Sequence, residues 1–197
     1  MILTPDQILM QEGVDGRAMF NALESIDKRI GHTIEELRAT VSSLDNFPNE
    51  LYIGHSGGKD SVVIYWLMQC AFPGNYFPVV HTPKLSGPNK VHQETINFLY
   101  SRPFPIIHIP ATSHASYGFK VQVDGSRRDE YNRTDGRSTT IVKDGKDVSR
   151  SEMTMLVNNG LFGLDFIYPI FDWSNEEVWA CIHKMRLEVS PEYRKDV

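Results

Sequence analysis

Cysteine is nearly missing from this chain: Cys70 and Cys181 are its two cysteines in 197 residues, they lie far apart, and no C-x-x-C pair occurs. That excludes a thiol-built metal knuckle or a dithiol redox centre, and because each sits in an apolar stretch the prediction for both is a buried thiol. Long hydrophobic runs are missing too. None approaches the ~18 residues of a spanning helix, and the start Met1–Asp6 lacks the charged head and apolar middle of a leader, so a cytosolic protein is expected. An excess of positive charge is also absent, since 20 Lys and Arg face 25 Asp and Glu for a net charge of -5. The overall field therefore gives no attraction to nucleic acid, and any anion must be held by a local arrangement of donors. Internal repeats and low-complexity segments are not found. The apolar fraction of 41% and charged fraction of 23% are those of an ordinary globular protein.

Along the chain, Phe20, Leu23, Ile26, Ile30, Ile34, Leu37 and Val41 recur at steps of three and four, which predicts one or two amphipathic helices between Val14 and Leu44. The expected division is a helical extension over 1–46 and a catalytic-type domain over 47–197. Leu51–Gly54 reads as a buried strand ending in a glycine-rich turn, 61–71 as a helix, 76–81 as a second strand, 89–100 as a helix and 106–109 as a third strand. This alternation predicts an α/β fold with a parallel sheet flanked by helices. From Ser113 to Arg150 the chain turns polar, which reads as an excursion from the sheet. Within it Asp144-Gly145, between Thr139–Val142 and Asp147-Val148, signals a hairpin. A helix over 151–159, an extended segment over 166–170 and a helix from Ser174 to Met185 follow, the last opened by a capping box of Ser174 and Glu177. Trp173 and Trp179 are expected in the core.

The segment Gly54-His55-Ser56-Gly57-Gly58-Lys59-Asp60-Ser61 lies between an apolar strand and a helix, where an open parallel sheet presents backbone N–H groups to a ligand. Gly57 and Gly58 carry no Cβ, so the main chain is able to take positive φ and come close to phosphate oxygens. The helix N-terminus, the Lys59 ammonium and the hydroxyls of Ser56 and Ser61 add further donors. The alternative is a Gly-Gly turn in which Asp60 or Ser61 caps the helix and Lys59 is solvated. The Walker A pattern fails, because Ile53 stands at its first glycine and Asp60 follows the lysine.

Ser56–Ser61 spells S-G-G-K-D-S and resembles the PP-loop of the adenine nucleotide α-hydrolase-like superfamily. Gly125-Ser126-Arg127-Arg128-Asp129-Glu130-Tyr131-Asn132-Arg133 resembles the arginine motif of phosphoadenylyl-sulfate (PAPS) reductases and of sulfate adenylyltransferase small subunits. Tyr168–Ser174, Glu176–Trp179 and Ser190–Tyr193 are similar to later segments of the same family, so the resemblance runs in order over residues 45 to 193. It implies a Rossmann-like sheet, ATP or PAPS as nucleotide with Mg²⁺, a possible GTPase subunit or sulfur-transfer partner, and a homodimer. It also implies that Ser56, Gly57, Gly58, Lys59, Asp60, Ser61, His81 and Thr82 bind the nucleotide, and that Lys59, Arg127, Arg128 and Arg133 are catalytic, Lys59 on the β,γ-phosphates and the three arginines on the distal or acceptor anion. His81-Thr82 stands where the resemblance expects Asp-Thr, so His81 is open to two readings, a ribose contact or a locally satisfied imidazole. Asp60 is equally open to approaching a phosphate-bound Mg²⁺ or capping the helix. The arginines also have a plain alternative, because the segment 124–150 carries seven basic and six acidic residues and suits a solvated, ion-paired loop.

Two reactions share the implied fold. Adenylyl transfer breaks the α–β bond of ATP and needs positioning and cations rather than a covalent nucleophile. Sulfonucleotide reduction needs a thiolate, which the resembling reductases carry in a C-terminal Glu-Cys-Gly-Leu-His segment. That segment is not present before Val197, so adenylyl transfer with pyrophosphate release is the expected activity. A reductase-type enzyme and a nucleotide-binding module without turnover are the alternatives.

Overall fold

The computed structural model describes residues 1–11, 13–42, 44, 50–81, 90–108, 118–128, 142–143, 146–147 and 165–194. Thr82, Arg133, the predicted end of the third strand at Ile109 and the predicted helix 151–159 lie outside these residues.

Five strands form one parallel sheet: β1 (Leu51–Gly54), β2 (Val79–His81), β3 (Ile106–His108), β4 (Val121–Val123) and β7 (Asp165–Ile167), in the order β3-β2-β1-β4-β7. The predicted parallel α/β architecture is therefore present. A separate pair, β5 (Val142–Lys143) and β6 (Lys146–Asp147), runs antiparallel, the pairing the hairpin signal predicts. Strand β4 is an addition to the sequence reading, which passed over Val121-Gln122-Val123 as part of the polar excursion.

Side chains alternate between the faces of the sheet because the strand period is two. Leu51, Ile53, Val121, Val123 and Ile167 join the main core, while Tyr52 and Val80, with Phe119, form a smaller cluster that Ile107 and Phe166 pack against. The main core is closed by helices α2 (Gly16–Ser42), α3 (Lys59–Ala71) and α5 (Asn175–Lys184), all three packed on one another. In α2 the buried stripe is Met19, Ala22, Ile26, Ile30, Thr33, Leu37 and Val41. The expected Phe20 is instead exposed, one step off that stripe, and the region is a single helix of 27 residues. The helical segment that precedes the sheet thus shares the core of the sheet domain. A short helix α1 (Pro5–Leu9), which the sequence reading did not foresee, carries a capping box of Thr4 and Gln7.

Trp173 and Trp179 are buried as predicted, and Trp173 Nε1 donates to Thr33 Oγ1 at 3.2 Å, tying the end of the sheet to α2. The Ser174–Glu177 capping box opens α5. Cys181 is buried, but Cys70 is only half-buried: it sits in the last turn of α3, whose closing carbonyls Cys70 O and Ala71 O are bound by Arg38. Helix α4 (Lys90–Tyr100) packs on the 3₁₀ turn Pro191–Tyr193 near the chain's end. No helix among the described residues is long and apolar enough to cross a membrane.

Candidate functional site

The chain leaves β1 toward β2 and β3 on one side and later returns through β4 and β7 on the other, so the switch point of this open sheet lies between β1 and β4, where such sheets bind ligands. A cavity of about 270 Å³ opens there, at the carboxyl ends of the strands. Gly54, His55, Ser56, Asp60 and Ser61 line it from the β1 side, with Tyr52 and Val80 beneath, and Gln122, Asp124, Gly125 and Ser126 from the β4 side.

The Ser56–Ser61 loop turns where glycine is needed. Gly57 has φ +86°, and a Cβ added there would stand 2.0 Å from Thr95 Cγ2 of α4. Helix α3 then starts at Lys59 with Gly58 as its N-cap and no side-chain cap. Asp60 and Ser61 therefore do not cap it, and their side chains go elsewhere. The loop amides are met by side chains: Ser56 N–H donates to Ser61 Oγ (3.1 Å), Gly57 N–H to His55 Nδ1 (3.0 Å), Gly58 N–H to Ser56 Oγ (3.3 Å) and Lys59 N–H to the Tyr193 hydroxyl (3.2 Å). The two serine hydroxyls share a further bond of 2.8 Å. Every acceptor is a rotatable side-chain group.

His55 is buried, and desolvation, helped by His81 and Arg102, pulls its pKa down to about 3. The ring is neutral, and since Nδ1 accepts from Gly57, Nε2 carries the proton. His81 is also buried, with Nδ1 hydrogen-bonded to the His55 carbonyl at 2.9 Å, and it is not among the cavity-lining residues.

The charged residues of the loop are paired. Asp60 accepts Lys59 Nζ on Oδ2 and Arg127 Nε on Oδ1, both at 2.7 Å, and the Arg127 side chain is 3% exposed. Arg128 is held over the Phe171 ring, 4.7 Å from its centroid, with Nε and Nη2 on Asp172 Oδ1 at 3.0 Å. Its N–H donates to Phe171 O at 2.7 Å, and Arg29 binds the Asp172 carbonyl, so Asp172 ties the end of the sheet to the arginine segment. Of the residues nominated from sequence, Ser56, Asp60 and Ser61 line the cavity, Gly57, Gly58 and Lys59 belong to the same turn but not to the lining, and Arg127 and Arg128 are paired with carboxylates.

Tyr52, Gln122, Asp124 and Ser126 line the cavity but were not nominated from sequence as site residues. The signal for Gln122 was its place between Val121 and Val123, which puts it on the face opposite the two valines, beside Tyr52. Tyr193 was noted as part of a terminal motif, without its link to the loop. No thiol among the described residues lines the cavity. Burial pushes the Cys181 thiol up to about 12 and raises that of Cys70 as well, so neither is a ready thiolate.

For magnesium, the described residues hold no cluster of three or more metal-ligating side chains, and both Asp60 oxygens are engaged by cations. The described residues build no resident site. An ion chelated by phosphates takes most of its ligands from them and from water, so Mg²⁺ would enter as the counter-ion of a nucleotide.

No protein-family model and no curated protein matches the sequence. Solved structures do match in fold. An FMN adenylyltransferase from Candida glabrata, in complex with ATP, aligns with a TM-score of 0.58 at 14% identity over 88% of this chain and 58% of that one. A PAPS reductase from Candida auris, a phosphate complex, aligns at 0.50 and 14% over 85% and 88%. A U34-tRNA thiolase from Methanococcus maripaludis aligns at 0.50 and 15% over 84% and 66%. The likeness to these neighbours is one of fold, a parallel sheet flanked by helices. The chain spans a little over half the length of the FMN adenylyltransferase.

Proposed function

We propose that this chain binds an adenine nucleotide with its phosphates on the Ser56–Ser61 loop and cleaves ATP between the α and β phosphates, transferring the adenylyl group to an acceptor and releasing pyrophosphate. The observation that carries the reading is the cavity at the β1/β4 switch point, lined by Ser56, Asp60 and Ser61 of a loop that holds a positive-φ glycine and a helix start without a side-chain cap. The amides there hold neutral side-chain acceptors, each bond worth about 1 kcal/mol net. Charge-assisted bonds to phosphate are roughly twice as strong, so an entering polyanion displaces the serine and tyrosine hydroxyls at a gain. Lys59, now on Asp60, follows the added negative charge.

The ATP complex of the adenylyltransferase of like fold supports this reading, as does the phosphate complex of the reductase. A reductase reading finds no thiol at the cavity. Positioning and hydrogen bonding, with no nucleophile from the chain, would supply the catalysis.

The test is incubation of the protein with ATP, Mg²⁺ and candidate acceptors, following pyrophosphate. Release that Lys59→Ala cuts by about 100-fold supports the enzyme, on the scale of one lost electrostatic donor. Tight ATP binding with no release under any acceptor would make the chain a binding module instead.

A further inference from the structure

The cavity wall that faces the phosphate loop is built differently from the loop. Tyr52 and Gln122 are cross-strand partners in register, and the Tyr52 hydroxyl donates to Gln122 Oε1. Burial, with the charge of Asp124 adding to it, raises the phenol pKa well above its ordinary value, so this hydroxyl keeps its proton and the bond has one direction. With Oε1 taken, Gln122 turns Nε2 toward Asp124 and donates to Oδ2 at 2.8 Å. Asp124 Oδ1 accepts from the N–H of Ser126 at 2.8 Å and from its hydroxyl. An ionised carboxylate accepts about four hydrogen bonds, and these are three. The open position lies on Oδ2, next to the second Nε2 hydrogen of Gln122.

All four residues line the cavity, and among the described residues no lysine or arginine does. Arg127 and Arg128, from the same segment, are drawn back onto Asp60 and Asp172. An oxyanion placed against this wall would meet a carboxylate without a countercharge, a repulsion that a partly dry cleft strengthens. A donor-bearing edge would meet an acceptor and a donor side by side.

We propose that the Tyr52–Gln122–Asp124–Ser126 wall binds a group presenting hydrogen-bond donors, such as the amino edge of a heterocyclic base, and turns away oxyanions, with Asp124 as the specificity-determining residue. This rests on the nucleotide reading above. It sets the substrate class apart from sulfate or phosphate acceptors. The donor edge has two sources, the adenine of the nucleotide itself or a base-like acceptor.

Calorimetry separates them. Wild-type protein and Asp124→Asn are titrated with ATP and with purine riboside triphosphate, which lacks the 6-amino group. Both proteins, saturated with α,β-methylene ATP, are then titrated with free cytosine and with sulfate. If adenine occupies the wall, wild-type protein binds ATP about tenfold or more tightly than the purine analogue, and Asp124→Asn erases the difference. If an acceptor does, the two nucleotides bind alike and cytosine binds the saturated wild-type protein but not the variant. The proposal is overturned if sulfate binds the saturated wild-type protein at least as tightly as cytosine, or if neither the 6-amino group nor cytosine makes any difference. The ATP-against-analogue comparison needs no variant, so misfolding of Asp124→Asn does not remove the test. Absence of heat with every nucleotide sinks the nucleotide reading, whereas nucleotide binding in which neither the 6-amino group nor cytosine makes a difference sinks this inference alone.

Discussion

Two segments close the cavity from opposite sides, and they are made of different material. After β1 the turn is shaped by main chain: Gly57 at φ +86°, Gly58 as a bare N-cap, and amides held by nearby side chains. Opposite it, the end of β4 presents side chains: an amide, a carboxylate and a hydroxyl, bonded in series with the Tyr52 phenol of β1. A surface of amides is sensitive to added atoms and to backbone strain, and tolerates changes of ligand shape around a phosphate. A surface of side chains can be changed one residue at a time without moving the backbone, so it is where selectivity is set. The first would be common to any nucleotide the fold takes, the second particular to this chain.

That contrast breaks most readily at Gly57. Alanine there adds a strained φ, about 1–3 kcal/mol, and a Cβ pressed into the methyl of Thr95, which is buried and bonded through Oγ1 to Glu192. We expect Gly57→Ala to lower the unfolding free energy by about 3–5 kcal/mol in urea titration and to abolish ATP binding. A loss below about 1 kcal/mol would show that the loop is not a rigid backbone device.

Acid sharpens the same comparison through His55, which holds the Gly57 amide only while neutral. Its pKa is about 3 in the folded protein against about 6.5 unfolded. The unfolded chain therefore binds the extra proton between those values, and stability is full above pH 6.5 and falls as pH drops toward 3, by up to about 4 kcal/mol. Denaturant titrations at pH 7, 5 and 4 should trace that slope, and His55→Gln should flatten it. An unchanged slope in the variant would assign acid sensitivity to the carboxylates instead.

A smaller effect is expected at Asp60, where the two materials meet. Asp60→Asn leaves Arg127 buried with its carboxylate partner gone, and with Asp60 itself 17% exposed the cost is about 2–3 kcal/mol, below that of a fully buried pair. Thermal unfolding should register this as a fall of roughly 5–10 °C. No shift would mean that Arg127 is held chiefly by other partners.

How much of this was readable beforehand varied by region. The strand–loop–helix unit from Leu51 to Ala71 was legible because its signals are local: an apolar run, two glycines and a helical period within about twenty residues. Strand β4 was not, since three residues in a polar stretch carry too little pattern to outweigh their neighbours, and β1 and β7 on either side are what make them a strand. The arginines were legible as anion-binding chemistry, but their partners Asp60 and Asp172 are 67 and 44 residues away in sequence, and no local pattern announces such pairing. Phe20 fits the helical period loosely, and only the packing of α2 against α3 and α5 shows that Met19 and Ala22 face inward beside it.

The order of elements, the parallel α/β class and the place of the glycine-rich turn follow from the sequence alone, because periodicity and glycine's conformational freedom act over a few residues. Which side chains face one another across the cavity was decided by tertiary structure. Strand register brings Gln122 beside Tyr52, and folding closes Asp60 onto Arg127, contacts whose energies depend on distances that no stretch of sequence encodes locally.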